Sequence, residues 1–357
     1  MKAQFSKTLL LCPKKYSLYN SFTDILSICS QEVIGFDLRS KIGSSQLRVN
    51  AQLFRLPNTM RTRLENKFLA RVNKLLLEEY NRLKPDLVFV YNSEYLLPET
   101  CRIMAGKSKL VFFMGDSPFY TPLNNYYLNL LNYADLVLSP DSFWISQLNM
   151  IGINKTCFFL PSIDKKSYYP IEENSKDTEI AETDVLYVGN SYVNSWGYKK
   201  ALLMSKFTNL DFQLYGPDMW RRWFAFFPDL EKNFIKTSHV EISRLNRMFN
   251  KTKLVPADGN PGIISGIHAR VFEALGAGAL PLIEYRSDVD KIIFNDLNCE
   301  LPLIKSYDTV CDMAKYYLKN ENERKGLAFE MRAFFEKKYS PINCAEIIIN
   351  KLREFQK

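Results

Sequence analysis

Apolar runs of strand length alternate with helical patterns along most of this 357-residue chain. The runs are almost continuously apolar, which is typical of strands buried on both faces. Such strands, separated by helices, indicate parallel sheets covered by helices on both sides. In the first half, the strand-like runs are 8–12, 32–38, 86–91, 109–114, 136–139 and 157–160, and the clearest helical patterns are 61–83 and 122–133.

A polar segment containing Pro170 interrupts this alternation over residues 164–183, and the alternation then restarts. The second set of strand-like runs is 185–188, 212–215, 240–242, 253–256 and 280–283, with helical patterns at 198–207, 244–250 and 268–275. The tail 307–357 reads as helical, with an interruption at Pro341. We therefore expect two Rossmann-like domains, at 1–165 and 184–340, a linker at 166–183, and a C-terminal helix at 341–357 that packs back on the first domain.

The numbers and positions of the cysteines and histidines indicate the cellular compartment and whether a metal site is expected. The seven cysteines are scattered and form no Cys-x-x-Cys pair, which is typical of reduced thiols rather than of a disulfide or zinc framework. Only His239 and His268 are present, so a His-rich metal site is not expected. No apolar run has the length of a membrane span, and the run 8–12 is too short for a signal peptide. We expect a cytoplasmic protein.

The net charge of +8 is concentrated between Arg39 and Arg82, where acidic residues are few. Two interpretations stay open: a solvated helix face, or a surface that docks on phospholipid at the inner face of the membrane or holds an anionic, lipid-diphosphate acceptor. Nucleic-acid binding is not expected, because no recognised module or aromatic–basic repeat accompanies these residues. The basic residues of segment 48–74 are Arg48, Arg55, Arg61, Arg63, Lys67, Arg71 and Lys74.

The stretch 264–284 carries the most specific chemistry. Arg270 and Glu273 lie three apart on a predicted short helix, which ends in Ala-Gly-Ala and leads at once into the strand 280–283. A glutamate at this place can bind a ribose diol, and an arginine can neutralise a phosphate. Small residues alone are also typical of any helix packed closely on a sheet, so a purely structural interpretation stays open.

This block resembles the donor-site signature of GT-B glycosyltransferases, most closely the group related to the spore maturation protein CgeB. Further similar stretches are Phe-Phe-Met-Gly-Asp-Ser-Pro at 112–118, the segment 134–170, Asp-Val-Leu-Tyr-Val-Gly-Asn at 184–190 and the helical tail. The resemblance covers most of residues 85–357. It implies the α/β GT-B fold of two facing Rossmann-like domains with a helical tail, and a hexosyltransferase-type enzyme that uses a nucleotide-diphosphate sugar.

The resemblance also implies a set of donor-binding residues. In the loop after strand 185–188, Gly189 and Asn190 let the backbone approach a diphosphate, and the next helix adds oriented N–H groups. Lys199 and Lys200 in that helix are candidate phosphate ligands, although lysines near a helix start are often only solvated. His268, Arg270 and Glu273 complete the set, and the Gly/Pro loop 256–262 is expected to close over the donor sugar.

Asp116 is the candidate catalytic residue. It follows the strand 109–114, at the end where open α/β sheets place their ligand crevice. A carboxylate there can accept the proton of an acceptor hydroxyl. The alternative is a turn-capping role, since Asp-Ser-Pro is a common turn sequence. Many retaining GT-B enzymes carry two glutamates separated by seven residues, but Ser265 occupies the first of these positions, which favours inversion.

No metal or separate cofactor is expected. Asp288 and Asp290 form a D-x-D pair, but Lys, Arg and helix dipoles take the place of the metal in the GT-B interpretation. The acceptor is expected to be a cell-envelope glycan, a lipid-linked sugar or a secondary metabolite. Two other functions stay open: a non-catalytic GT-B-like coat or assembly protein, and a sugar-nucleotide epimerase.

Overall fold

The computed structural model describes residues 3–92, 95–119, 126–172 and 180–355. The chain divides into two compact units, which we call the first unit (1–162 and 339–357) and the second unit (163–338). Each unit contains one six-stranded parallel sheet with flanking helices, which confirms the predicted α/β class. Parts of the predicted linker (173–179) and of the predicted helix 122–133 (122–125) lie outside the described residues.

The first unit alternates strands and helices almost from its start. Its strands are β1 (Phe5–Leu11), β2 (Ser30–Phe36), β3 (Leu87–Tyr91), β4 (Lys109–Phe113), β5 (Leu136–Ser139) and β6 (Thr156–Phe158). Its helices up to residue 162 are α1 (Leu18–Cys29), α2 (Ser44–Gln52), α3 (Asn58–Leu83), α4 (Pro98–Ala105), α5 (Tyr127–Leu131) and α6 (Ser142–Met150). The sheet order is β2-β1-β3-β4-β5-β6, so the chain reverses its direction of travel across the sheet between β1 and β3.

The second unit repeats this plan. Its strands are β7 (Thr183–Val188), β8 (Phe212–Gly216), β9 (Phe234–Lys236), β10 (Thr252–Ala257), β11 (Leu280–Glu284) and β12 (Leu303–Ile304). Its helices are α7 (Ser195–Ser205), α8 (Leu230–Asn233), α9 (Ile242–Asn250), α10 (Arg270–Ala277), α11 (Val310–Lys319) and α12 (Glu321–Lys338). The order β12-β11-β10-β7-β8-β9 places the reversal between β7 and β10.

The last helix, α13 (Pro341–Glu354), belongs to the first unit, where it packs on α1. Pro341 is tolerated because it occupies the first turn, where its missing N–H has no intrahelical partner. The hydroxyl of Ser340 caps this helix by accepting the backbone N–H of Asn343 at 3.2 Å. The buried thiol of Cys344 donates to the carbonyl of Leu160, 3.4 Å away.

The predicted strand 240–242 is wrong. The edge strand is β9, which pairs with β8 through Phe234, Ile235 and Lys236. Val240 and Ile242 are apolar because they pack, at and just before the start of α9, against a cluster that includes Tyr168 and Phe249. A short apolar run of this kind looks the same in a strand and in a helix start.

Helix α10 and its end agree with the predicted helix–strand unit. The helix ends at Gly278, whose φ of +92° lies in the left-handed region that favours glycine at this position. Strand β11 then begins at Leu280, only two residues later. Within the described ranges, none of the helices combines the length and the apolar character that a transmembrane helix needs.

Candidate functional site

The reversal between β7 and β10 is the place in the second unit where a ligand crevice is expected. Ligands of open parallel sheets bind outside the carboxyl ends of the strands at such a reversal. Strand β7 ends at Val188 and is followed by Gly189, while β10 ends at Ala257 and is followed by Asp258. Polar side chains that lie at these strand ends are therefore the first candidates for a site.

A buried cluster, which we call the Asp258 cluster, occupies this place. Lys200 Nζ lies 3.1 Å from Asp258 Oδ2, and Arg270 Nη1 lies 3.2 Å from Asp258 Oδ1. The hydroxyl of Tyr187 donates to Asp258 Oδ1 at 2.9 Å and accepts from Lys200 Nζ at 2.8 Å. All four residues are at most 8% exposed. One carboxylate thus faces two cations, and the cluster has a net positive charge.

The guanidinium of Arg270 lies against the backbone just after β7, which accounts for the glycine at position 189. The guanidinium Cζ lies 4.4 Å from the centre of the Tyr187 ring, and Nη2 donates to the carbonyl of Val188 at 2.8 Å. A Cβ atom at position 189 would lie 2.7 Å from Arg270 Nη2, so a side chain there would displace the arginine. The next residue, Asn190, is exposed to solvent just beyond the carboxyl end of β7.

A second group, the Glu284 cluster, lies at the end of β11. Lys199 Nζ is 2.5 Å from Glu284 Oε1, and Arg286 Nη2 is 3.0 Å from Oε2. The hydroxyl of Tyr307 donates to Oε1 at 2.7 Å, and the backbone N–H of Gly259 donates to Oε2 at 3.3 Å. This carboxylate too has two cationic partners. Lys199 is the most accessible of the four cations, with a side chain 40% exposed.

Consecutive lysines on α7 therefore serve different carboxylates. Successive helical residues project about 100° apart, so Lys199 and Lys200 cannot reach the same group. Each lysine also lies near aromatic faces: Lys199 is 4.4 Å from the ring centre of Trp196, and Lys200 is 5.4 Å from that of Tyr187.

The charges of both clusters persist at neutral pH. Burial alone would raise the pKa of Asp258, but Lys200 and Arg270 outweigh it and lower that pKa. Burial is likewise outweighed at Glu284, whose pKa is lowered by hydrogen bonds from Lys199 and Tyr307. Burial acts to lower the pKa of Lys200, yet Tyr187 and Asp258 raise it above its ordinary value. The two clusters together leave an excess of two positive charges at the ends of β7, β10 and β11.

His268 lies just before α10 and stays neutral. Desolvation and the charge of Arg270 lower the pKa of His268 to about 3. Its Nδ1 accepts the backbone N–H of Arg270 at 3.1 Å, so the ring proton is assigned to Nε2. The imidazole is therefore an uncharged group whose N–H is at Nε2.

Glu273, in the first turn of α10, is half-buried and hydrogen-bonded to the hydroxyl of Tyr168. Burial and the adjacent Glu273 carboxylate raise the pKa of Tyr168, which keeps the phenol as the donor. A carboxylate can accept several hydrogen bonds, and the bond from Tyr168 is one of those that Glu273 accepts.

Asp116 lies in the first unit, past the carboxyl end of β4, and its side chain is exposed. Asn92 follows the neighbouring strand β3 and holds the turn. Its Nδ2 donates to Asp116 Oδ2 at 2.7 Å, and its Oδ1 accepts the backbone N–H groups of Gly115 and Asp116 at 2.7 and 3.2 Å. Asn92 adopts a φ of +39°, which is uncommon for a residue with a side chain. The same strand ends border a small cavity of about 50 Å³ lined mostly by aromatic and apolar residues.

The D-x-D pair occupies a tight turn after β11. Asp288 is buried, and its backbone N–H donates to the carbonyl of Ser265 at 2.9 Å. Asp290 lies in the following π-helical turn at Val289–Ile293. Among the described residues, no three His, Cys, Asp or Glu side chains form a group that could hold a metal ion.

Sequence reasoning missed two of the four side chains of the Asp258 cluster and three of the four of the Glu284 cluster. It selected the cations Lys199, Lys200 and Arg270 but not the carboxylates of Asp258 and Glu284. A signal was present, because both acids directly end or follow a buried parallel strand, as Asp116 nearly does. The other members that were not selected are Tyr187, Arg286 and Tyr307.

Comparison with known families gives a match in the second half of the chain. Residues 199–350 match the model of a family described as "Glycosyl transferase-like". The match includes α10, Glu273 and Glu284 and covers less than half of the chain. No curated protein matches the chain by sequence.

Solved structures show the fold over nearly the whole length. Sucrose-phosphate synthase from Thermosynechococcus elongatus superposes with a TM-score of 0.66 at 9% identity, covering 98% of this chain and 99% of that one. HepE from Anabaena, solved in complex with UDP, gives a TM-score of 0.57 at 13% identity, with 98% and 99% covered. UDP-GlcNAc 2-epimerase from Neisseria meningitidis, bound to UDP-GlcNAc, gives 0.52 at 11%, with 98% and 100% covered. The predicted GT-B fold is confirmed.

We predict that Asp258→Asn destabilises the second unit. Removing this carboxylate leaves Lys200 and Arg270 buried without a counter-charge, which typically costs about 3–5 kcal/mol. Urea unfolding followed by tryptophan fluorescence measures the difference. The surface pair Lys206–Asp308, in which the Asp308 side chain is 91% exposed, supplies the control, and Asp308→Asn is expected to change the stability little.

We predict that the difference in unfolding free energy between the wild type and Asp258→Asn depends on pH. Folding lowers the pKa of Asp258 below its ordinary value of 3.8, so its contribution is complete above that value and is lost as the pH falls through the folded-state pKa. The difference in unfolding free energy between the wild type and Asp258→Asn should therefore decrease at acidic pH. Equal stability of the two proteins at neutral pH would contradict the ion-pair account.

Proposed function

We propose that this protein transfers a sugar from a nucleoside-diphosphate sugar to an acceptor hydroxyl. The observation that carries the proposal is the pair of clusters in which Asp258 and Glu284 each face two cations at the carboxyl ends of the strands. Their excess positive charge suits a diphosphate, both when it is bound and when it leaves. The GT-B fold and the match of residues 199–350 to a glycosyl transferase-like family support the same activity.

In the proposed donor complex, each group has a distinct role. Glu273 accepts hydrogen bonds from the ribose hydroxyls. Lys199, the most exposed cation, and the N–H donors of the Gly189–Asn190 loop contact the diphosphate directly. His268 donates from Nε2, while Arg270 and Lys200 contribute charge from within the Asp258 cluster. Similar solved proteins hold UDP or UDP-GlcNAc, which supports a nucleotide donor.

The acceptor is proposed from the resemblance of the chain to the CgeB-related group. That resemblance favours a cell-envelope glycan, a lipid-linked sugar or a secondary metabolite as the acceptor. The aromatic and apolar residues beside Asp116 lie where the first sheet reverses, at the ends of β1 and β3, and are the proposed contacts of the acceptor next to its reacting hydroxyl.

Epimerisation is the second candidate, since a sugar-nucleotide epimerase shares the fold. The family match favours transfer over epimerisation. The two activities are separable by experiment, because an epimerase converts the sugar of the nucleotide without an acceptor, whereas a transferase forms a glycoside of the acceptor. A non-catalytic assembly protein would do neither.

In the proposed chemistry, Asp116 takes the proton of the acceptor hydroxyl as its oxygen forms a bond to the anomeric carbon. The bond from that carbon to the diphosphate oxygen breaks, and the diphosphate leaves with the electron pair. Its charge is met by the two clusters. Since Ser265 occupies the position of the first glutamate of the retaining pattern, the proposal is direct displacement with inversion.

Replacing Glu273 tests the donor site. Glu273→Ala removes the proposed ribose acceptor and is expected to weaken nucleoside-diphosphate binding by roughly 1.5–3 kcal/mol, as measured by calorimetry. Tyr168→Phe removes a hydroxyl that donates to Glu273 but keeps the carboxylate, and it serves as the matched control, with affinity expected to stay near that of the wild type. Unchanged affinity in a folded Glu273→Ala protein would exclude the ribose role.

Metal independence follows from the proposal that protein cations neutralise the diphosphate. Sugar transfer is expected to continue in the presence of EDTA, measured as the release of nucleoside diphosphate. A loss of activity that magnesium or manganese restores would count against the cation-only account and would make Asp288 and Asp290 candidates again.

Asp116→Asn tests the chemistry. A positioned general base typically contributes about 10²–10⁴-fold to the rate, so turnover is expected to fall by this factor while nucleotide affinity is kept. Asp308→Asn again provides a control for the loss of one carboxylate. Near-normal turnover of Asp116→Asn, or a product with the anomeric configuration of the donor, would rule out this mechanism.

A further inference from the structure

The first half of α3 has few contacts with the first unit, among them the Phe68 ring, whose centre lies 5.8 Å from that of Tyr95. None of the residues 58–71 is buried, whereas Val72, Leu76, Tyr80 and Leu83 in the second half are. Met60 is 56% exposed and Leu64 is 40% exposed. Met60 and Leu64 lie about one turn apart on the same face, and such a pair of exposed apolar side chains suits contact with a partner surface.

The exposed face has a specific composition. At about 100° per residue, the side of α3 roughly opposite its buried stripe carries four cations and two apolar residues. These are Met60, Arg63, Leu64, Lys67, Arg71 and Lys74. Glu65 projects towards the other side, where it pairs with Arg61 at 2.7 Å. The outward face therefore contains no acidic residue before Glu78.

The surrounding segment extends this surface, which we call the α3 face. Between Arg39 and Lys74 the chain has nine Lys or Arg residues and a single acidic one, Glu65. On α2, which packs beside α3, Arg48 is exposed and Val49 is 64% exposed. Cations and apolar side chains thus alternate over two neighbouring helices.

We propose that the α3 face docks on an anionic phospholipid bilayer. Lysine and arginine side chains bind lipid phosphates, while Met60 and Leu64 enter the boundary between headgroups and acyl chains. A nucleic acid would satisfy the cations but would leave these apolar side chains beside phosphates. Base stacking also needs aromatic residues, and the outward face has none. Docking requires no nucleotide donor, so it is independent of the proposed transfer reaction.

Sedimentation of the full chain with vesicles tests the proposal. Wild type is expected to bind vesicles that contain about 30% anionic lipid far better than neutral vesicles, and less well as salt rises above about 0.15 M. The triple variant Arg63→Gln, Lys67→Gln, Arg71→Gln should bind about 100-fold more weakly. The double variant Met60→Ser, Leu64→Ser should weaken binding without abolishing its salt dependence.

A matched triple variant controls for overall charge. Arg102→Gln, Lys107→Gln and Lys155→Gln remove three exposed cations elsewhere on the first unit and are expected to leave vesicle binding nearly unchanged. Thermal unfolding checks that all variants are folded. Equal binding to neutral and anionic vesicles, equal loss in both triple variants, or binding to RNA but not to vesicles would each overturn the proposal.

Discussion

The compensation of two buried carboxylates by four cations is the interaction on which the second unit depends. Asp258 and Glu284 lie at the ends of adjacent parallel strands, and each would be costly to bury without a counter-charge. Lys200 and Arg270 supply it to Asp258, while Lys199 and Arg286 supply it to Glu284. Each carboxylate has two cationic partners, so the network has a net positive charge. Because of this positive charge, the network is a candidate anion-binding site as well as a structural element. Tyr187, Gly189 and Gly259 fit around the network through contacts that leave little room for substitution.

Sheet topology explains why these groups meet. Strand β7 is the first strand of the second unit and lies in the middle of its sheet. Strands β8 and β9 are added on one side of β7, and β10 and β11 on the other. Residues that are distant in sequence, such as Lys200 and Asp258, are thereby brought to one edge. The carboxylates also hold the cations in place before any ligand arrives. Preorganisation of this kind is what the proposed stabilisation of a leaving diphosphate needs, because little reorganisation then remains for the proposed reaction.

The sequence was sufficient for most of the strands and for the helix–strand unit at α10, because near-continuous apolar runs and a terminal glycine are local signals. It failed at residues 240–242, where a short apolar run proved to be the start of α9, and it did not reveal the two-residue strand β12. Arg270, Lys199 and Lys200 were selected from sequence as phosphate ligands, yet their ion-pair partners were not. Pairing depends on the strand order, and a linear pattern does not contain that order. The hydrogen bond between Glu273 and Tyr168 was inaccessible to sequence for the same reason.

Thermal unfolding of the wild-type protein with a panel of nucleoside diphosphates and the matching monophosphates tests the central claim most directly. The account predicts that at least one diphosphate stabilises the fold, by about 2.7 kcal/mol at a concentration near 100 times its Kd. The matching monophosphate should stabilise it far less, since the surplus charge at the ends of β7, β10 and β11 is matched to two phosphates. If no diphosphate raises the Tm of the folded protein, or if mono- and diphosphates raise it equally, the two clusters are structural ion pairs and not a donor site.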